Sequence, residues 1–214
     1  MLLDRRRVKF WQRIVFGFMA FLMVLFLVGY AGFRFTGCGS TTPTANKLDD
    51  EIAALRKKVE ALPDDLAARL ALAEALRRRA GQEVEDQARR DEYLTAAAAA
   101  YRAYVKRVSK TEGTKAEVRE AERQQVAALE ELVRVYQALG DLEAVQQVYG
   151  QLTDLRPKDA TYFYNMGRVA ITAGDTNTAL LAFARYLELE PDSEEAAQVE
   201  EWMAENASGK DGGQ

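Results

Sequence analysis

A spacing of 34 residues organises the second half of the chain. Four pairs of positions carry it: Gly140 and Gly174, Asp141 and Asp175, Tyr149 and Phe183, Pro157 and Pro191. A fixed period between about 20 and 50 residues is typical of folds in which one structural unit stacks on the next. The spacing therefore predicts two gapless units, residues 126–159 and 160–193.

Each unit is predicted to be a pair of helices. From Lys47 onward the chain is rich in Ala, Leu, Glu and Arg, with apolar residues three and four positions apart. Within a unit, Gly allows the left-handed turn that ends the first helix, and the Asp that follows can cap the second helix. Pro then ends the second helix, because it cannot continue the backbone hydrogen bonds.

The two units resemble the tetratricopeptide (TPR) repeat family. The matching positions of the second unit are Phe163, Met166, Gly167, Ala170, Ala179, Phe183 and Pro191. Those of the first unit are Leu129, Leu132, Val133, Tyr136, Val145, Tyr149 and Pro157. Ala170 departs from the family's aromatic preference, and Val145 departs from its preference for a small residue. The resemblance, to a membrane-anchored bacterial type, implies an all-α solenoid of about three helix pairs.

A third, degenerate unit is predicted at about 66–108, with an insertion in the polar stretch 82–92. Thr114 and Glu117 have the spacing of a capping box, so the first helix of the middle unit is expected to extend backwards. Four tyrosines are predicted to lie in the core: Tyr101, Tyr104, Tyr136 and Tyr149. A helix over 47–62 precedes the repeats and a capping helix over 193–206 follows them, which completes a helical domain over 47–206.

Residues 14–33 are predicted to form a transmembrane helix. These twenty positions carry no charge, and a helix of about 20 apolar residues spans the hydrocarbon core of a bilayer. Five basic residues precede them in the segment 1–13, whereas the following fifteen or so residues contain only Arg34 and Lys47. Because positive charge favours the cytoplasmic side, we expect a cytoplasmic N-terminus and an extracytoplasmic helical domain. Residues 34–46 are predicted to be a flexible linker, and 207–214 a disordered tail.

Two other interpretations of the N-terminal segment stay open. A cleaved signal peptide has a similar basic start, but its apolar region is usually only about 7–15 residues long. A lipoprotein signal would make Cys38 the lipidated residue, and the small Gly37 before it fits that motif. Phe35 does not fit, because the motif prefers Leu there. If the anchor stays uncleaved, Cys38 is a single thiol close to the membrane, either free or in a disulfide between chains.

The charge distribution favours protein partners over nucleic acid. The chain has 29 basic and 33 acidic residues, of which residues 1–33 hold five and one. The remaining 24 basic and 32 acidic residues give the rest of the chain a net charge of −8. Phosphate contacts dominate nucleic-acid affinity, so a domain this acidic is not expected to bind nucleic acid.

Composition also argues against an enzyme. The chain has no His and one Cys, which excludes Ser-His-Asp and Cys-His catalysis and metal sites built on His or several Cys. Adjacent acids such as Glu130-Glu131 and Glu194-Glu195 are interpreted as surface charge. We expect no catalytic residue, no cofactor, no metal and no small-molecule substrate.

The TPR resemblance implies a protein-binding groove along the first helix of each pair. Carried over position by position, its residues are Glu74, Arg77, Glu130, Arg134, Gln137, Tyr164, Asn165 and Arg168. Arg134 and Arg168 lie 34 residues apart, so they are expected to stack on one surface. The hypothesis is that they hold a peptide and that Tyr164 anchors it, because Arg binds carboxylates and peptide carbonyls in planar geometry. The alternative is a solvated groove with ordinary surface charges.

The sequence therefore predicts a membrane-anchored scaffold or adaptor that binds other proteins on the extracytoplasmic side. The alternative is a permanent structural or assembly subunit of a cell-envelope machine, such as a secretion, pilus or cytochrome-maturation apparatus.

Overall fold

A computed structural model describes residues 43–207, which form eight α-helices and no strand. The helices are α1 (Pro43–Ala61), α2 (Leu66–Gln82), α3 (Gln87–Val108), α4 (Lys115–Leu139), α5 (Leu142–Leu155), α6 (Ala160–Ala173), α7 (Thr176–Leu189) and α8 (Ala196–Ala207). From α2 to α8 each helix packs on the next one, within a compact unit that begins at Ala45. The all-helical class is confirmed, and α2/α3, α4/α5 and α6/α7 form three successive pairs.

Several predicted segments lie outside the described residues. These are the basic segment 1–13, the transmembrane segment 14–33, residues 34–42 of the linker with Cys38, and residues 208–214 of the tail. Within residues 43–207, none of the helices is long and apolar enough to cross a membrane.

The predicted turns between paired helices are confirmed. Gly140 and Gly174 end α4 and α6 in the left-handed conformation, with φ of 74° and 77°. The next residues, Asp141 and Asp175, cap α5 and α7 by accepting hydrogen bonds from backbone N–H groups three residues on. Thr114 likewise caps α4 in a complete capping box.

The core follows the predicted apolar register. One cluster of buried residues runs from Leu48 in α1 to Leu152 in α5, and a smaller one joins α6, α7 and α8. The four tyrosines predicted to lie in the core are buried in the first cluster. In the second cluster, α6 and α7 approach each other closely at Gly167, where an added Cβ would lie 2.5 Å from the Phe183 ring.

The structure shows what the predicted insertion at 82–92 forms. Most of these residues are helical, because α2 continues to Gln82 and α3 begins at Gln87. Asp86 caps α3 by accepting a hydrogen bond from the Arg89 N–H, so this helix begins within the predicted insertion. The extra residues therefore lengthen a helix pair and leave a connection of only 83–86.

The flanking helices also differ from expectation. Helix α1 starts at Pro43, inside the predicted linker, as Pro is well suited to a first helical turn. It is buried at Leu48 and Ile52, whereas Leu62, which the prediction included in the helix, follows its last residue and is 55% exposed. Helix α8 begins at Ala196, three residues later than predicted.

An arginine of α2 holds α1 in place. Arg79 is 4% exposed, and its Nε donates to Oδ1 of Asp49 in α1 at 2.8 Å. Its Nη1 donates to Glu83 at 2.8 Å, and its guanidinium lies 4.8 Å from the centroid of the Tyr93 ring in α3. Since an unpaired buried charge is costly, these contacts fix α1 against the first helix pair.

Candidate protein-binding groove

The predicted groove residues lie on the first helices of the three pairs, α2, α4 and α6. Five are exposed: Glu74, Glu130, Arg134, Gln137 and Arg168. The other three, Arg77, Tyr164 and Asn165, are half-buried. We call these eight residues the inner groove.

Between α2 and α4 the inner groove is organised by Glu131, which was not predicted as a site residue. One carboxylate oxygen, Oε2, lies 3.2 Å from Nε of Arg77 in α2. The other, Oε1, accepts a hydrogen bond from Nη1 of Arg134, one turn further along α4. Glu131 therefore orients two arginines from neighbouring helix pairs, and Arg134 already has an acidic partner.

The Tyr101 hydroxyl of α3 lies beneath this arrangement. Its side chain is fully buried, and its hydroxyl is near Arg77 and Glu131 without an aligned hydrogen bond. Burial raises the pKa of Tyr101, and the neighbouring Arg77 acts in the opposite direction. The hydroxyl thus stays protonated at neutral pH.

Between α4 and α6 the link is a hydrogen bond that was not predicted from the sequence. The Tyr162 hydroxyl donates to Oε1 of Glu130 at 2.7 Å. Burial and the Glu130 carboxylate both raise the pKa of Tyr162. Glu130 is therefore occupied by a contact between helix pairs.

Arg168 and Tyr164 form a pair on α6. The Arg168 guanidinium carbon lies 5.7 Å from the centroid of the Tyr164 ring, within range of a cation–π contact. The Tyr164 ring also packs against Tyr186 and Phe183, at centroid distances of 5.1 and 6.1 Å. Tyr164 is thus part of the aromatic core of the last pair, so only part of its ring is available to a ligand.

The structure brings part of the predicted set together. Burial raises the pKa of Tyr149, and Arg168 of α6 and Glu130 of α4 both influence it in opposite directions. Arg134 is one helical turn from Glu130 and shares its face of α4. Gln137 and Asn165 form no side-chain hydrogen bond within the described part of the chain.

A cleft of about 770 Å³ lies beside the start of α6. Its lining includes Arg156, Lys158, Thr161, Tyr164, Tyr186 and Ser193. Ser193 holds the place that Asp159 occupies before α6, but its hydroxyl lies 2.6 Å from that of Tyr186 and donates to the Glu190 carbonyl. We attribute the late start of α8 to these bonds. In the sequence, the difference that indicates this late start is Tyr186, which stands where the preceding unit has Leu152.

Within residues 43–207, no three or more His, Cys, Asp or Glu side chains cluster in a way that could hold a metal ion. The chemistry that the inner groove offers is hydrogen bonding and ion pairing from arginine.

Comparison with known proteins gives no family assignment. No family model matches the chain, and no curated protein matches it. Two similar solved structures are both crystal structures of MamA. One has a TM-score of 0.46 at 16% identity and covers 78% of this chain and 81% of that one. The other has a TM-score of 0.28 at 20% identity and covers 72% and 87%. Likeness at this level carries no argument about function.

Proposed function

We propose that this chain is a TPR-type scaffold that binds a partner protein along its inner groove. The observation that carries the proposal is a series of three arginines, one from the first helix of each pair. Arg77 and Arg134 are held by Glu131, and Arg168 is held by the Tyr164 ring. Their side chains remain accessible, with 41% exposure for Arg77 and 63% for Arg134.

Arginines that are held in place lose less side-chain entropy when they bind. Each guanidinium has five N–H donors, so one ion pair or ring contact leaves others for a ligand. The groups that such donors recognise are carboxylates and peptide carbonyls. We therefore propose a peptide or protein segment as the partner, bound without catalysis.

The experiment is site-specific photo-crosslinking in cells with the full chain. A crosslinker at Gln137 or Asn165 should give adducts with one partner. The variant Arg134→Ala/Arg168→Ala should lose most of these adducts, because it removes two of the three arginines. The control is Arg119→Ala/Arg123→Ala, which makes the same charge change elsewhere on α4. Equal adduct yield from both variants contradicts the proposal, as does turnover that depends on a groove carboxylate such as Glu130.

We further propose that residues 14–33 anchor the scaffold and that its helical domain is extracytoplasmic. The uncharged run and the five preceding basic residues support this topology. Protease added to spheroplasts should remove a C-terminal tag while cytoplasmic controls survive. Protection of the tag would place the helical domain in the cytoplasm.

A scaffold that recruits partners and a permanent subunit of an envelope machine differ in residence time. After extraction in mild detergent, the scaffold should be recovered as a free chain, whereas the permanent subunit should be recovered in a large complex of fixed composition. The mass of the solubilised chain distinguishes the two.

A further inference from the structure

A second groove lies between α3 and α5, with α4 as its floor. It has a volume of about 320 Å³. One wall is formed by Arg102 and Lys106 of α3, the opposite wall by Gln147 and Gln151 of α5, and the floor includes Leu129 and Leu132 of α4. We call these six residues the outer groove. None of them belongs to the inner groove.

The outer groove is cationic, although the domain is acidic. Arg102 and Lys106 are exposed and form no ion pair within the described part of the chain, and no acidic residue lines the groove. The surrounding sequence is equally one-sided. Between Glu92 and Glu112 there are four basic residues and no acidic one. A protein surface with uncompensated charge of one sign attracts a partner of the other sign.

The complementary charge is on the same chain. Between Arg185 and Lys210 there are eight acidic residues and no basic one. Glu201 and Glu205 lie on the exposed side of α8, one helical turn apart. Arg102 and Lys106 have the same spacing on α3, so both pairs are separated by about 6 Å along a helix axis.

The acidic and basic surfaces do not meet within one copy. Helix α8 packs on α7, and four helices lie between α3 and α8 in the packing order. The geometry points to a second copy of this chain as the occupant, with its α8 seated in the outer groove of the first. Glu201 and Glu205 of one copy then pair with Arg102 and Lys106 of the other.

The contact is head-to-tail, because two different surfaces meet. The pair as a whole keeps one unused groove, on one copy, and one unused α8, on the other, so addition can continue into an open row of copies. The attraction is electrostatic and exposed to solvent, so salt should weaken it. The screening length falls from about 10 Å at 0.1 M salt to about 3 Å at 1 M.

The test is sedimentation of the full chain in detergent at several concentrations. We expect association at low salt that is lost at 1 M salt. Arg102→Gln/Lys106→Gln and, separately, Glu201→Gln/Glu205→Gln should each raise the dissociation constant about tenfold or more. The control variants are Lys115→Gln/Arg119→Gln and Glu60→Gln/Glu85→Gln, which make the same charge changes on exposed residues elsewhere. They should associate as the unmodified chain does.

Mixing the two test variants gives the decisive result. One lacks the cationic wall and the other lacks the acidic helix, so a mixture keeps one working contact and should stop at pairs containing one of each. A monomer at every concentration and salt overturns the inference. Association that survives both double substitutions overturns it too, since a different surface would then be responsible. All eight substituted side chains are exposed, and circular dichroism checks that each variant keeps its helices.

Discussion

The middle pair α4/α5 and the last pair α6/α7 have the same register but fill it differently. Val133, Val145 and Leu152 of the middle pair correspond to Gly167, Ala179 and Tyr186 of the last. The middle pair buries aliphatic side chains between neighbours on both sides. The last pair has the smaller residues Gly167 and Ala179 and the larger ring of Tyr186 at these positions. Helix α8 adds Trp202, whose ring centroid lies 5.4 Å from that of Phe183. The two pairs therefore keep the same helix packing, although the sizes of the side chains at equivalent positions differ.

The largest expected effect comes from removing the ring at the centre of the last pair. Phe183 is 2% exposed and contacts the rings of Tyr164 and Trp202. Phe183→Ala should lower the free energy of unfolding by about 3–5 kcal/mol, since it leaves a cavity. Denaturant unfolding of the full chain measures the loss. Phe183→Leu, which keeps most of the volume, should lose less, and equal losses would mean that the site collapses around either residue.

The next effect tests the close approach that distinguishes the two pairs. Gly167→Ala places a methyl group 2.5 Å from the Phe183 ring, which is held by its aromatic neighbours. We expect a loss of about 1–3 kcal/mol from overpacking. The matched control is Gly150→Ala in α5, where an added Cβ meets nothing within 4 Å. That change should stabilise the chain by about 0.5–1 kcal/mol, because Ala favours helix. A stabilised Gly167→Ala variant would contradict the packing argument.

The contact between the two pairs is expected to contribute less. Tyr162→Phe removes the hydrogen bond to Glu130 and should lower the free energy of unfolding by about 0.5–1.5 kcal/mol. Thermal unfolding of the full chain measures the difference. Tyr164→Phe is the control, because that hydroxyl donates no hydrogen bond within residues 47–207. If both variants lose the same stability, the bond between the pairs contributes nothing of its own.

The smallest effect concerns the caps of the second helices. Asp175 accepts from both the hydroxyl and the N–H of Thr178, and these bonds lower its pKa below the ordinary 3.8. Asp141 has Ala144 at the matching position, which offers an N–H alone. A lowered pKa means stability that is present above pH 3.8 and lost as the pH falls through the folded value. Asp175→Asn caps without titrating, so its unfolding temperature should fall less steeply below that pH. If the unfolding temperature of the variant falls with pH as steeply as that of the unmodified chain, Asp175 does not contribute to the acid sensitivity.

Local chemistry explains which features could be predicted from the sequence. The turns at Gly140 and Gly174 and the capping box at Thr114 depend only on residues close by in the sequence. A short stretch of sequence is therefore enough to predict each of them. The extension of α3 back to Gln87 was missed because a polar run rich in Gln, Glu and Arg suits either a loop or a helix. Asp86 was the available cap signal.

The inner groove was only half predictable for a different reason. Its positions follow from the repeat, but its contacts join residues far apart in sequence. Arg77 meets Glu131, and Tyr162 meets Glu130, across different helix pairs. No pattern within one unit encodes such a pairing. The Arg134 contact with Glu131 was visible, because residues three apart share a helix face.

The Arg79 contacts have a mechanical consequence. Tension applied to the chain ahead of Pro43 passes into α1 before it reaches any helix pair. The bonds from Arg79 to Asp49 and from Arg78 to Glu51 join α1 to α2, so they resist this load together. Under a steady pull, α1 should separate in a single step, because loss of the Asp49 bond leaves a buried guanidinium short of a partner. The three helix pairs would remain folded behind it.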